Sequence, residues 1–148
     1  MSRQTYYNLR SIIKTKLSDL NDDNGKSLFV DVLDYGEGQF TGYPSAVVLV
    51  SVGEGEAKDT ARNERVFEFR VDLYQEYSES GKTKKEATDT MIKAIDKVIE
   101  AFDTDSNLGG EVVFVEIIPL VLDTTVKSWV FLFASFKIRC HDLVNNYI

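Results

Sequence analysis

Gly81-Lys82-Thr83 is the first place to look for chemistry, because a Gly-Lys-Thr run that opens a helix is how a phosphate-binding loop ends. Such a loop also needs a glycine five residues earlier. Glu76 stands there instead, and Glu79 adds negative charge where a phosphate would sit, so the run reads as a strand-to-helix turn with a threonine cap. Asp103-Thr104-Asp105-Ser106-Asn107 alternates oxygen ligands as a calcium loop does, yet that loop places glycine sixth and a bidentate glutamate twelfth. Leu108 and Phe114 occupy those positions, which leaves an acidic helix exit. Cys140 and His141 are the sole residues of their kinds. As neighbours on a strand they point to opposite faces, so a thiolate–imidazole pair is awkward, and one of each cannot complete a zinc site within one chain. Cys140 fits better as a small core residue. Carboxylates are abundant, but no pair is set apart by its surroundings and no nucleophile has a recognisable base. The expectation is a protein that is not an enzyme and needs neither cofactor nor metal.

The elements that would position these residues follow from composition and pattern. The 148 residues are about one domain, 43% hydrophobic and 28% charged, with two prolines and nine glycines, which is ordinary globular usage and not a linker or low-complexity chain. A net charge of -7 would repel a polyanion, so nucleic-acid binding through a basic face is disfavoured. The charge is uneven: Arg3, Arg10, Lys14 and Lys16 against Asp19 give the first twenty residues +3, leaving -10 on the rest. A basic element on an acidic body suits docking between protein subunits, although a solvated helix face explains it as simply. One cysteine excludes an internal disulfide and fits a reducing compartment. No leader-like or membrane-spanning apolar run is visible, so a soluble protein is expected.

Tyr6, Leu9, Ile13, Leu17 and Leu20 recur at helical spacing from about Arg3 to Leu20, and Asn21 to Gly25 then supplies a dense turn signal. Leu28 to Leu33 predicts a first strand, and Pro44 leads into a buried strand from Ala46 to Val52. From Glu64 to Tyr77, Phe67, Phe69, Val71 and Leu73 alternate with Glu68, Arg70 and Asp72, predicting one buried and one wet face. Thr83-Lys84-Lys85-Glu86 has capping-box spacing, and Ala87, Met91, Ala94, Ile95, Val98 and Phe102 continue one helical face to about Asp103. Leu108-Gly109-Gly110 turns the chain into a strand from Glu111 to Pro119. A last strand runs from about Lys127 to Cys140, with Val130, Leu132, Ala134, Phe136 and Ile138 on one side and Trp129, Phe131 and Phe133 on the other. The order predicts a single-domain α+β fold, with a mixed or antiparallel sheet of about five strands and two helices packed on one face. The aromatic side of the last strand either packs under a loop or meets a neighbouring subunit.

Taken together, three segments carry a likeness: Tyr7-Asn8-Leu9-Arg10-Ser11-Ile12-Ile13, Gly42-Tyr43-Pro44-Ser45-Ala46-Val47-Val48 and Asn63-Glu64-Arg65-Val66-Phe67-Glu68-Phe69. The helix end Ile99-Glu100-Ala101-Phe102-Asp103 and the following Leu108-Gly109-Gly110 fit the same layout. In this pattern, over most of its length, the chain resembles the tail terminator (tail completion) proteins of long-tailed bacteriophages. The resemblance implies a virion protein of the tail or neck, assembled in the host cytoplasm as a ring, commonly a hexamer. That ring would cap the last ring of tail-tube protein, halt tube polymerisation, and present its other face to head-tail connector or neck proteins.

The reading agrees with a chain that works by surfaces. The polar loop from Gly53 to Asn63 bears Glu54, Glu56, Lys58, Asp59 and Arg62; with Glu64, Arg65, Trp129 and Phe131 these are the candidate subunit or tube interface. Arg3, Arg10 and Lys14 form a candidate basic docking helix. DNA would pass through the lumen without being gripped, as an acidic wall would ensure. A connector or neck subunit of the same machinery, an unrelated oligomeric binding module of similar fold, and a small nucleotide-binding or hydrolytic enzyme using Gly81-Lys82-Thr83 are the competing readings.

Overall fold

Thr5 starts the first helix. Its hydroxyl oxygen accepts the N–H of Asn8 at 3.1 Å, satisfying a donor that the helix itself cannot pair, and α1 (Tyr6–Ser18) buries Leu9, Ile13 and Leu17 along one stripe. The turn after it is built by Asp22, whose Oδ1 accepts from the N–H groups of Asn24 at 2.8 Å and Lys26 at 3.0 Å, while Gly25 takes φ 80°. In this computed structural model, residues 4–36, 40–51, 64–76, 83–123 and 131–143 are described. Gly81, Lys82, Trp129 and the loop from Gly53 to Asn63 lie outside them.

The remaining elements are β1 (Asp31–Leu33), β2 (Ser45–Val50), β3 (Glu64–Glu76), α2 (Lys84–Thr104), β4 (Phe114–Asp123) and β5 (Phe131–Leu143). They form a five-stranded sheet in the order β1-β2-β3-β5-β4. Only β1 and β2 are parallel; the other three pairs are antiparallel, so the sheet is mixed. The fold is α+β. Phe67, Phe69, Val71 and Leu73 of β3 and Leu132, Ala134, Phe136, Ile138 and Cys140 of β5 point to one face. There they join Leu9, Ile13 and Leu17 of α1 and Ala87, Met91, Ala94, Val98 and Phe102 of α2 in one core cluster. Both helices therefore cover the same face. Phe69, Phe102 and Phe136 are fully buried in it, each contributing roughly 1.5–3 kcal/mol of transfer free energy.

The capping box forms as its spacing predicts: Thr83 Oγ1 accepts from Glu86 N at 3.1 Å and Glu86 Oε1 accepts in return from Thr83 N at 3.4 Å. Element ends move by a few residues. The first strand begins at Asp31, later than Leu28, because Leu28 and Phe29 are tucked into the core while Val30 N donates to the Pro44 carbonyl at 2.8 Å. The strand expected from Glu111 begins at Phe114, because Val112 N is still tied to the Asn107 carbonyl at 3.2 Å. In that turn Leu108, Gly109 and Gly110 all have positive φ, 51°, 68° and 91°. For Leu108 this backbone is strained, and its side chain, 4% exposed, is held in the core. No helix among the described residues is long and apolar enough to cross a membrane.

One expectation fails. The second face of β3 is not uniformly wet, for Glu68 and Asp72 are 5% and 3% exposed. The register supplies the reason: Glu68 lies opposite Arg139 and Asp72 opposite Ser135 on β5, so each carboxylate leaves water with a polar partner already in place.

Candidate functional site

Both helices lie on one face of the sheet; on the other, Glu68, Asp72, Ser135 and His141 are themselves buried, 3–8% exposed. Strand alternation assigns this helix-free face to Glu68, Asp72 and Tyr74 of β3, to Phe133, Ser135, Arg139 and His141 of β5, and to Phe114, Glu116 and Ile118 of β4. Across its middle runs a charged row. Arg139 Nε stands 3.1 Å from Glu68 Oε1, an ion pair although the N–H is not aligned on that oxygen, and Arg139 Nη1 is 4.0 Å from Glu116 Oε1. Glu116 Oε1 also meets His141 Nε2. The His141 ring is stacked on Phe114, with centroids 4.1 Å apart and planes 9° from parallel. Beside this row Ser135 donates to Asp72 Oδ1 at 2.9 Å and Arg70 pairs with Asp72 Oδ2 at 3.0 Å.

At the β2 side of the same face the rings of Phe40, Tyr74 and Phe133 follow one another, with centroids 5.4 and 5.3 Å apart, and Phe40 also meets Tyr43 at 5.7 Å. Burial, and secondarily the Asp72 charge, holds the Tyr74 hydroxyl pKa above its usual value. On the aromatic side of the last strand, the Phe133 ring packs against Tyr74 of the neighbouring strand.

The edge strand β4 is different. Val113, Phe114, Ile118 and Leu120 are 36–52% exposed, and the ladder to β5 shifts register between Pro119 and Val121, leaving Leu120 on a bulge. Between Phe114 and Pro119 the outward backbone edge is largely closed to strand addition. Val115 N donates to the Ser106 carbonyl at 2.7 Å and Pro119 has no N–H, which leaves Ile117 between them as the outward-facing amide. Over this stretch side chains, and not a ladder of hydrogen bonds, are what β4 offers.

Two open recesses flank the helices. One, about 390 Å³, lies between Ser11, Ile12, Thr15 and Lys16 of α1 and the turn at Asp105, Leu108 and Gly109, where Lys16 Nζ is 2.9 Å from Asp105 Oδ2. Lys16, followed by the Gly109 N–H, holds the Asp105 carboxyl below its usual pKa. The other, about 450 Å³, is lined by Asp22, Asp23, Tyr43, Lys93 and Lys97 and bridged by Lys97 and Asp23 at 3.0 Å. Cys140 lies in the core while His141 faces the other side, as adjacent strand positions require. Burial, and secondarily the Asp142 charge, pushes the Cys140 thiol up to about 12. Among the described residues no group of three metal-ligating side chains occurs.

Most of the residues expected at an interface lie outside the described segments: Glu54, Glu56, Lys58, Asp59, Arg62, Trp129 and Arg3. Arg65, half-buried, is opposite Asp142, whereas Phe131 is opposite Glu76 at the other end of the same ladder. Eleven residues of extended strand separate Arg65 from Glu76, roughly 35–40 Å, so Arg65 and Phe131 are placed at opposite ends of the β3–β5 ladder. Glu64 begins β3 opposite Leu143. Arg10 and Lys14 do share a stripe of α1: the Arg10 guanidinium sits over the Tyr7 ring at 5.6 Å, and Lys14 Nζ is 3.7 Å from Asp34 Oδ2, just past β1. Phe114, Glu116, Ile118 and Leu120 were not singled out by sequence. Apolar residues in a strand pattern read as core, whereas Phe114 and Ile118 face the side of the sheet opposite the helices and Leu120 sits on the bulge. Compared with known proteins, the chain matches no family model and no curated sequence.

Proposed function

We propose that this chain is a structural subunit of a phage tail, a terminator whose ring caps the tail tube, stops its polymerisation and offers the head-tail joining surface. The observation that supports a docking role is the β4 edge, where Val113, Phe114, Ile118 and Leu120 keep 36–52% of their surface in solvent along one flank. Clustered apolar exposure of this kind marks an interaction surface more often than an idle one. The tail-specific part of the reading rests on the resemblance of the Tyr7–Ile13, Gly42–Val48 and Asn63–Phe69 segments and their order.

Native mass spectrometry tests it, first on the chain alone and then after mixing with the tail-tube protein of the same phage. A hexamer, or a monomer that becomes a ring and stops tube growth on mixing, is the expected result. A chain that neither assembles nor affects the tube overturns the proposal. Binding to the portal side with no effect on tubes reassigns the protein to the neck.

A further inference from the structure

The turn after α1 sets a side-chain amide beside a backbone nitrogen with which it can react. Asn24-Gly25 is the sole Asn-Gly step in the chain, and residues 23–27 are all exposed, just ahead of the buried Leu28 and Phe29. Hydrogen bonds define the turn: Asp22 Oδ1 accepts from Asn24 N and Lys26 N, Asp22 N donates to the Lys26 carbonyl at 2.7 Å, and Gly25 N donates to the Asp22 carbonyl at 3.1 Å. The Asn24 carboxamide is different. Among the described residues it has no hydrogen-bond partner, so no bond holds it away from the next peptide nitrogen. Gly25 presents that nitrogen with no side chain beside it, and a Cβ placed there would meet nothing within 4 Å, so neither the residue nor a neighbour shields the approach. Asn107 makes the contrast, because its Oδ1 accepts the Gly110 N–H at 3.2 Å and its next residue is Leu108.

We infer that Asn24 is a site of spontaneous deamidation, with water and hydroxide as the only co-reactants. Hydroxide takes the Gly25 N–H proton and becomes water. The nitrogen then bonds to Asn24 Cγ, the Cγ–Nδ2 bond breaks, and the amide nitrogen leaves as ammonia with a proton from water, which restores the hydroxide. Water opens the resulting cyclic imide at either carbonyl and leaves aspartate or isoaspartate. The turn sets the rate: Gly25 N must first leave the Asp22 carbonyl, so the reaction proceeds from a locally opened turn, and the carboxylates of Asp22 and Asp23 disfavour the amide anion.

The two products act differently on the fold. Isoaspartate routes the main chain through the side-chain carbons, which lengthens the path between the two N–H groups that share Asp22 Oδ1, so the turn cannot keep both bonds. Aspartate leaves the backbone as it was and adds a third carboxylate beside Asp22 and Asp23, on the recess where Lys97 pairs with Asp23 and Lys93 lies nearby. This chemistry does not depend on what the chain binds.

Peptide mass spectrometry tests it on the folded protein, incubated in mildly alkaline buffer at physiological temperature. The peptide carrying position 24 should gain the mass of an amide-to-acid change and split into two chromatographic forms, while the peptides of Asn8 and Asn107 stay unchanged. Asp22→Ala, which removes the bonds to Asn24 N and Lys26 N, should speed the conversion several-fold. Asn24→Gln should abolish it, because the longer side chain would have to close a larger ring. Aged wild-type protein should unfold at lower urea than Asn24→Asp, since only isoaspartate lengthens the turn. A folded protein whose position-24 peptide is unchanged when the same chain in urea has converted overturns the proposal, for the turn then protects the amide. Ammonia loss spread equally over Asn21, Asn24 and Asn107 overturns it as well.

Discussion

Glu68 and Arg139 face each other across the centre of the sheet, and how far each is buried decides what the pair contributes. Glu68 keeps 7% of its side chain in solvent and Arg139 keeps 23%. Breaking a fully buried pair costs about 3–5 kcal/mol; here Arg139 is partly hydrated and retains Glu116, so Glu68→Ala is expected to cost about 2–3 kcal/mol, read as a shift in urea midpoint. Replacing both as Glu68→Leu with Arg139→Met should recover most of that loss, since the isolated charge and not the missing attraction dominates the cost. A single variant within about 0.5 kcal/mol of wild type would show the carboxylate to be better solvated than its position implies. Cys140 makes a second residue-scale case. Its thiol is pushed up from 9.0 to about 12 by burial and Asp142, so the folded state holds the proton more tightly than the unfolded chain. The resulting stabilisation is complete below the unfolded value and is lost as pH rises from about 9 towards 12. At pH 8 the native protein should react with a thiol reagent only as fast as it opens, and denaturant should make the reaction immediate.

Helix α2 carries the clearest element-scale prediction. Thr83 and Glu86 satisfy each other's backbone N–H groups at the helix start, so Thr83→Ala should cost about 1 kcal/mol and lower Tm by about 2–4 °C, while Thr83→Asp should stay near wild type. A Thr83→Ala melting curve superimposable on wild type would mean that packing of Met91, Ala94, Val98 and Phe102 alone fixes the helix. What sequence reveals divides along the same line. The buried stripe of α2 and the buried face of β3 were legible because their periods are local and their apolar residues strong. The parallel pairing of β1 with β2 was not, because the β1 segment Asp31–Leu33 is too short to carry a period that distinguishes its neighbours. The pairing of Glu68 with Arg139 was hidden for a different reason: the residues are far apart in the chain, and only the register of β3 against β5 makes them opposite. Most of the expected interface, Glu54, Glu56, Lys58, Asp59, Arg62 and Trp129, lies outside the described residues. Charged and aromatic residues were grouped by type, and the fold then set Arg65 and Phe131 at opposite ends of one ladder.

At the scale of the whole molecule the question is which force would hold copies together in the proposed ring. Net charge is -7, so identical subunits repel one another on average, and cations near the two sheet edges are already paired within the chain, Lys14 with Asp34 and Arg139 with Glu68 and Glu116. Charges at the rim of an apolar patch chiefly govern encounter, whereas the apolar centre sets how long the partners stay. Raising salt from about 0.05 to 0.5 M shortens the screening length from roughly 14 to 4 Å. The assembly rate, followed by light scattering after dilution from denaturant or from low concentration, should therefore rise over that range as the net repulsion is screened. The final mass should not change, because burial of Phe114, Ile118 and Leu120 is insensitive to screening and is slightly favoured by salts excluded from the surface. Assemblies that dissolve at 0.5 M salt would show that charge, and not the apolar edge, carries the contact. In that case Arg10→Ala and Glu111→Ala would be more damaging than Ile118→Ser with Leu120→Ser.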